Sequence, residues 1–120
     1  MDTRSKILTL DAARQLPRAA VTLASGYFDG FRVVHARALA ALPAPLLVAV
    51  LPLSGELLPQ ASRAELAAAL RVVDYVVTPN ESELDGLIEY LSPRQIVRLE
   101  TSDLALVHEL IEHVHRRQAR

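Results

Sequence analysis

The sequence contains no cysteine and no tryptophan, and only 4% of its residues are aromatic. The absence of cysteine excludes disulfides, thiolate zinc sites, iron–sulfur clusters and cysteine nucleophiles. Hydrophobic residues make up 51% of the chain. With so few aromatic rings, a core must be built mainly from alanine, leucine and valine.

Strong charge and long hydrophobic segments are also missing. A net charge of −1 gives no basic field for nucleic acid and no polybasic patch for anionic lipid. The most apolar segment, 38–53, is interrupted by prolines and is shorter than the ~20 residues of a membrane span. The first ten residues, MDTRSKILTL, lack the apolar segment of a secretory signal. We therefore expect a cytoplasmic protein whose partners are small molecules or other proteins, not nucleic acid or membrane.

A length of 120 residues fits one domain, and we expect residues 1–120 to form it. Apolar runs alternate with helical patterns along the chain. The runs predict strands at 20–24, 46–51, 74–77 and 95–99. The patterns predict helices at 10–16 with Asp11 as its cap, 34–42, 62–70 with a Ser62–Glu65 capping box, 81–91 after an Asn80–Glu83 capping box, and from 102 onward.

Strands that are continuously apolar and alternate with helices are typical of a parallel sheet covered on both faces. The predicted fold is therefore a Rossmann-like three-layer α/β/α domain with about four to five parallel strands.

The segment SGYFDGFRVVH, residues 25–35, follows the first predicted strand and leads into a helix. In doubly wound sheets this loop, with a helix N-terminus behind it, is the natural anion site. Gly26 and Gly30 allow a ligand to approach the backbone, and Asp29 can order the loop. Arg32 and His35 lie three positions apart and would share a helix face.

These residues resemble the first loop of the cytidylyltransferase-like branch of the nucleotidyltransferases, which reads G-x-F-D-x-x-H-x-G-H. Four of the six signature positions match, namely Gly26, Phe28, Asp29 and His35. A segment from Arg63 through Val77 is similar to the family's R-x-x-x-L…V-D-x-V segment, and the order of elements agrees over roughly residues 6–100. The resemblance implies a site that binds a nucleotide or a phosphorylated small molecule.

The departures from the family pattern affect catalysis more than the fold. Arg32 replaces the first of the two histidines that flank the α-phosphate, and Val34 replaces the glycine between them. The family's lysine after the second strand has no counterpart in residues 52–58, and the later I-S-T-type signature with its arginine is absent. Because transfer depends on positioned positive charge around the phosphates, little activity is expected unless Arg32 and Arg98 substitute.

The resemblance implies His35 and Arg32 as catalytic residues and a phosphate-binding set at Gly26, Tyr27, Phe28, Asp29, Gly30 and Arg63. Alternative roles stay open for three of them. His35 contacts a phosphate or bonds to nearby backbone, Arg32 binds an anion or pairs with Asp29, and Arg63 faces a triphosphate or is an exposed first-turn residue. Phe28 is expected in the core and Tyr27 at the rim, and Asp74 is expected to order a strand entrance.

The predicted function is a degenerate nucleotidyltransferase-like domain that binds a nucleotide, a phosphorylated small molecule or a protein partner. One alternative is an active enzyme that uses CTP or ATP, with Arg32 in place of the histidine and Mg²⁺ carried by the nucleotide. Another is a homodimeric interaction module with an apolar surface at Leu53, Leu57 and Leu58. We expect no firmly bound cofactor.

The C-terminal histidines do not form a known metal motif. His108 and His113 are five positions apart, so they point away from each other on a helix, whereas the metalloprotease motif requires a spacing of four. His108, Glu112 and His115 would share a face, but a solvated amphipathic helix is the far commoner explanation for such a pattern. We expect no metal site there.

Overall fold

A computed structural model describes residues 2–29, 33–55 and 58–100. Its elements, in chain order, are a 3₁₀ helix Thr3–Lys6, α1 Leu10–Ala13, β1 Thr22–Gly26, α2 Val33–Ala40, β2 Leu46–Val50, α3 Gln60–Ala68, β3 Tyr75–Val77, α4 Glu81–Leu91 and β4 Gln95–Arg98.

The four strands form one parallel sheet in the order β3-β2-β1-β4. Thr22 lies opposite Leu46 of β2 and Gln95 of β4, so β1 is an inner strand with a neighbour on each side. β1 and β2 are buried along their whole length, as expected for inner strands of a parallel sheet that is covered on both faces. The first strand lies two residues later than predicted, at 22–26.

Helices cover both faces of the sheet, and the side chains of β2 alternate between them. One core contains Leu46, Val48 and Val50 with residues of α2 and α3. The other contains Leu47 and Ala49 with residues of α1 and α4. The predicted three-layer Rossmann-like fold is thus confirmed, with four strands in the described part of the chain.

The predicted cap of α1 and the predicted start of α3 are wrong. Thr9, not Asp11, caps α1, because its Oγ1 accepts from Ala12 N at 3.1 Å, while Asp11 instead accepts from Arg14. α3 begins at Gln60 rather than at Ser62. The Gln60 amide donates to the Val50 carbonyl at 2.8 Å, and this tertiary bond fixes a start two residues earlier.

Two other predicted polar residues act as expected. Asn80 Oδ1 accepts from Glu83 N at 2.7 Å while Glu83 accepts from Asn80 N at 2.9 Å, which completes the predicted capping box of α4. The Asp74 carboxylate accepts from Leu46 N at 2.7 Å, and Asp74 N donates back to the Leu46 carbonyl at 3.0 Å. Asp74 therefore orders the entrances of β2 and β3.

Within residues 2–29, 33–55 and 58–100, no helix combines the length and the hydropathy needed to cross a membrane.

Candidate functional site

The loop that leaves β1 begins at Tyr27 and lies at the carboxyl edge of the sheet; we call it the β1 loop. Leu51 N donates to the Gly26 carbonyl at 2.9 Å, and Leu99 N donates to the Ser25 carbonyl at 2.7 Å. The ends of β2, β1 and β4 are thus joined side by side at this edge. The chain runs from β1 to β2 and β3 on one side and places β4 on the other, so the strand order reverses at β1, where doubly wound sheets bind their ligands.

Gly26 makes room for an aromatic ring of its own loop. A Cβ at this position would lie 2.9 Å from both Cε2 and Cζ of Phe28. Phe28 has a φ of 54° and is fully buried, so the left-handed backbone at this residue turns the ring back over the glycine. The predicted positions of Phe28 in the core and of Tyr27 at the half-buried rim are confirmed.

His35 lies in the first turn of α2, behind the β1 loop. Its side chain is only 7% exposed. Its ring meets the Phe28 ring edge-to-face, with centroids 5.6 Å apart and an interplanar angle of 73°. The Phe28 ring therefore lies between Gly26 and the His35 ring, on the α2 face of the sheet.

Asp29 joins the β1 loop to the segment that precedes α3. Its Oδ1 accepts from Leu58 N at 3.0 Å. The sequence predicted that Asp29 orders its own loop, and the structure extends this role to a segment 29 positions away.

Arg63 joins three segments of the same edge. Its Nε donates to the Leu58 carbonyl at 3.0 Å, and its Nη1 donates to the Tyr27 carbonyl at 2.6 Å and to the Leu51 carbonyl at 2.8 Å. The side chain is 0% exposed. The expectation of an exposed first-turn arginine is therefore wrong, because the guanidinium satisfies backbone carbonyls of the interior. Its predicted role in phosphate binding stays a prediction.

Some of the predicted site lies outside the described residues. This is the case for Gly30, Arg32 and the side chain of Val34, and also for Leu57 and the histidines of the C-terminal segment. Leu53 and Leu58, the other members of the predicted apolar surface, are half-buried.

A second feature of the carboxyl edge is a group of hydrogen-bonded polar side chains on the α4 face, which the sequence did not predict. Ser25 Oγ donates to Glu100 Oε2 at 2.7 Å across 75 positions, and Glu100 accepts from Arg98 at 3.4 Å. Arg98 also lies 4.0 Å from Asp85. Asp85, Arg98 and Glu100 border a cavity of about 250 Å³, which is lined by Leu51, Glu81, Leu84, Asp85, Arg98 and Glu100.

The cavity carries more negative than positive charge, since three carboxylates face one guanidinium. A phosphate ligand is disfavoured there by like charge. In the part of the chain that the structure describes, no three His, Asp or Glu side chains are grouped as metal ligands. Each of these two features lies beside a helix N-terminus, that of α2 at the β1 loop and that of α4 at the cavity. Among the described residues, the β1 loop differs from the cavity in having a histidine, His35, beside it instead of three carboxylates.

Comparison with protein-family models and with curated proteins found no match to this chain. The resemblance to cytidylyltransferase-like enzymes therefore stays a prediction from the sequence.

Proposed function

We propose that this chain is a nucleotidyltransferase-like binding domain that takes a nucleotide or a phosphorylated small molecule at its β1 loop, with little or no transfer activity. The observation that carries the proposal is the position of this loop. It leaves an inner parallel strand at the carboxyl edge, and α2 begins directly behind it with His35 in its first turn.

Elementary electrostatics supports phosphate at this position. The first N–H groups of a helix have no partner inside the helix, and the helix dipole favours an anion beside them. The N-terminus of α2, at Val33, follows the β1 loop within a few positions of the sequence. His35 adds an imidazole that can donate to a phosphate oxygen.

The charges favour binding over transfer. Nucleotidyl transfer requires preorganised cations and donors around the phosphates, and the loss of one such donor can reduce the rate by ~10²- to 10³-fold. The motif lysine and the later arginine signature are absent from the sequence. Arg63 donates to backbone carbonyls, and Arg98 is paired with Glu100 and lies near Asp85. These contacts occupy guanidinium donors that a triphosphate would otherwise receive.

Ligand binding is tested by thermal unfolding with CTP, ATP, each with Mg²⁺, and with glycerol 3-phosphate and sugar phosphates. At a concentration of about 100 times the dissociation constant, a ligand should stabilise the fold by ~2.7 kcal/mol. His35→Gln should reduce this stabilisation, while Arg94→Gln, a change at the opposite edge, should leave it unchanged. The absence of stabilisation by every compound would overturn the proposal.

Transfer is tested by pyrophosphate release from CTP or ATP with phosphorylated acceptors. We expect no release above that of a heat-treated sample. Sustained release that His35→Gln abolishes would instead establish the alternative in which Arg32 replaces the first motif histidine.

A further inference from the structure

The Arg63 guanidinium and the three carbonyl oxygens that accept from it, those of Tyr27, Leu51 and Leu58, form a unit that we call the Arg63 clasp. We propose that Arg63 is a positioning residue of the β1 loop site: it fixes the loop without contacting the ligand, and it couples the order of that loop to the order of the segment before α3. This inference rests on the proposed function for the identity of the ligand.

The burial of Arg63 separates positioning from ligand contact. Its side chain is 0% exposed, and three of the five guanidinium N–H groups, that of Nε and both of Nη1, donate to backbone carbonyls. Because the side chain is fully buried, the backbone of the loop lies between the guanidinium and solvent. A phosphate at the mouth of the site would therefore meet a loop that Arg63 has shaped.

The three acceptors come from three separate segments at the carboxyl edge. Tyr27 follows β1, Leu51 follows β2, and Leu58 precedes α3. The carbonyls of Leu51 and Leu58 are followed by Pro52 and Pro59. Proline has no N–H, so these turns have one donor fewer with which to hold neighbouring backbone. Arg63 supplies donors that the local chain lacks.

Leu58 is where the coupling can be measured. Its N–H donates to Asp29 at 3.0 Å and its carbonyl accepts from Arg63 at 3.0 Å. The peptide group before Leu58 is therefore bonded to Asp29 of the β1 loop. The peptide group after Leu58 is bonded to Arg63, which also donates to the Tyr27 carbonyl of that loop. Because coupling between sites is reciprocal, a ligand that orders the β1 loop should also protect the Leu58 N–H from exchange.

Lysine does not reproduce the clasp. An ammonium group is a single point charge, whereas the guanidinium holds donors in a fixed planar fork. Arg63→Lys thus keeps the charge and removes the geometry. If Arg63 acted only as a positive charge for the ligand, lysine would preserve most of its effect.

The experiment measures amide hydrogen exchange by NMR in wild type and Arg63→Lys, first without ligand. The Leu58 N–H reports on the clasp, and the Asp74 N–H, bonded to the Leu46 carbonyl at the opposite edge, reports on the sheet. We expect Arg63→Lys to speed exchange at Leu58 by about tenfold more than at Asp74. An equal change at both amides would overturn the positioning role.

The second arm adds Mg²⁺ and CTP, and in a parallel sample inorganic phosphate alone. In wild type, whichever probe binds should slow Leu58 exchange more than Asp74 exchange, and Arg63→Lys should weaken its binding by about fivefold or more. Weaker binding with unchanged Leu58 exchange in the ligand-free variant would mean direct contact, and would overturn the inference.

The two proposals fail in different ways. If no probe binds wild type, the proposed function fails, while the ligand-free comparison of Leu58 with Asp74 still decides whether Arg63 orders the loop. If Arg63→Lys does not fold, Asp29→Ala replaces it, because this variant leaves the buried arginine in place. Asp29→Ala removes the acceptor of the Leu58 N–H, so the reporter is then the Nε–H of Arg63, which donates to the Leu58 carbonyl. Its exchange should become faster relative to that of the Asp74 N–H, and unchanged exchange would overturn the coupling.

Discussion

Backbone hydrogen bonds join the strand ends at both edges of the sheet, but in the described part of the chain the carboxyl edge has more hydrogen bonds from side chains of distant segments than the amino edge has. At the amino edge, Thr22 N donates to the Pro45 carbonyl, and the side-chain bond between Asp74 and Leu46 N spans 28 positions. At the carboxyl edge, the Arg63–Tyr27 bond spans 36 positions and the Ser25–Glu100 bond spans 75.

This difference indicates where the fold is built for a site. Backbone pairing at the amino edge follows from strand register and requires few particular side chains. Polar side chains buried at the carboxyl edge have a desolvation cost that only specific partners offset. Such residues hold loops in one arrangement, and the ligand crevices of doubly wound sheets lie at that edge.

The largest expected difference in stability is between substitutions of two arginines at opposite edges of the sheet. Arg63→Met leaves interior carbonyls without their donor and should lower the free energy of unfolding by about 3 kcal/mol or more. Arg94 is exposed and donates to the Ala44 carbonyl at 3.4 Å. Arg94→Met should therefore change the free energy of unfolding by less than about 0.5 kcal/mol. Urea denaturation measures both, and similar values would remove the contrast between the edges.

The next largest difference in stability is expected between alanine substitutions at two glycines. Gly26→Ala places a Cβ 2.9 Å from the Phe28 ring and should destabilise the fold by about 1–3 kcal/mol through overpacking. Gly86 lies exposed inside α4, and an added Cβ there would meet no atom within 4 Å, so Gly86→Ala should stabilise by roughly 0.5–1 kcal/mol. Thermal unfolding gives both signs, and a tolerated alanine at 26 would contradict the packing of Phe28 over this loop.

A smaller loss is expected at the carboxyl end of β1. Ser25→Ala removes the hydroxyl that donates to Glu100 at 2.7 Å and should cost about 1.5 kcal/mol, because the acceptor is a carboxylate. The double variant with Glu100→Gln separates the pairwise energy from the single effects. Additive losses would show that the two side chains do not interact energetically.

A change at the other end of β1 should raise the stability of the fold. Thr22, at the amino end of β1, is fully buried, and its hydroxyl has no hydrogen-bond partner among the described residues. Thr22→Val keeps the branched shape and removes the unsatisfied group, and it should stabilise by about 1 kcal/mol. A loss of stability on chemical denaturation would indicate that this hydroxyl is satisfied after all.

Local patterns predicted the layers of the fold, because apolar runs and capping residues act over a few positions. The Asn80–Glu83 box and the strand-ordering role of Asp74 were predicted correctly for this reason. The same logic failed at Ser62, since the tertiary bond from Gln60 to Val50 moved the start of α3.

The packing and the hydrogen bonds of the candidate site could be predicted only in part. Phe28 was placed in the core from its motif, but the burial of Arg63 was missed because its acceptors lie in three segments brought together by the sheet. The Ser25–Glu100 bond likewise has no periodic or motif signal. Long-range polar pairs depend on topology, and a linear pattern does not encode which carbonyl a side chain will reach.

The most direct test of the central claim is an amide chemical-shift titration of the ¹⁵N-labelled protein with CTP and Mg²⁺, ATP and Mg²⁺, and glycerol 3-phosphate. The account predicts saturable shifts for at least one of them, concentrated at Tyr27, Phe28, Asp29 and the first turn of α2, with Asp74 and Arg94 unchanged. Shifts confined to Glu81, Asp85 and Glu100 around the acidic cavity, or no shifts with any compound, would contradict it.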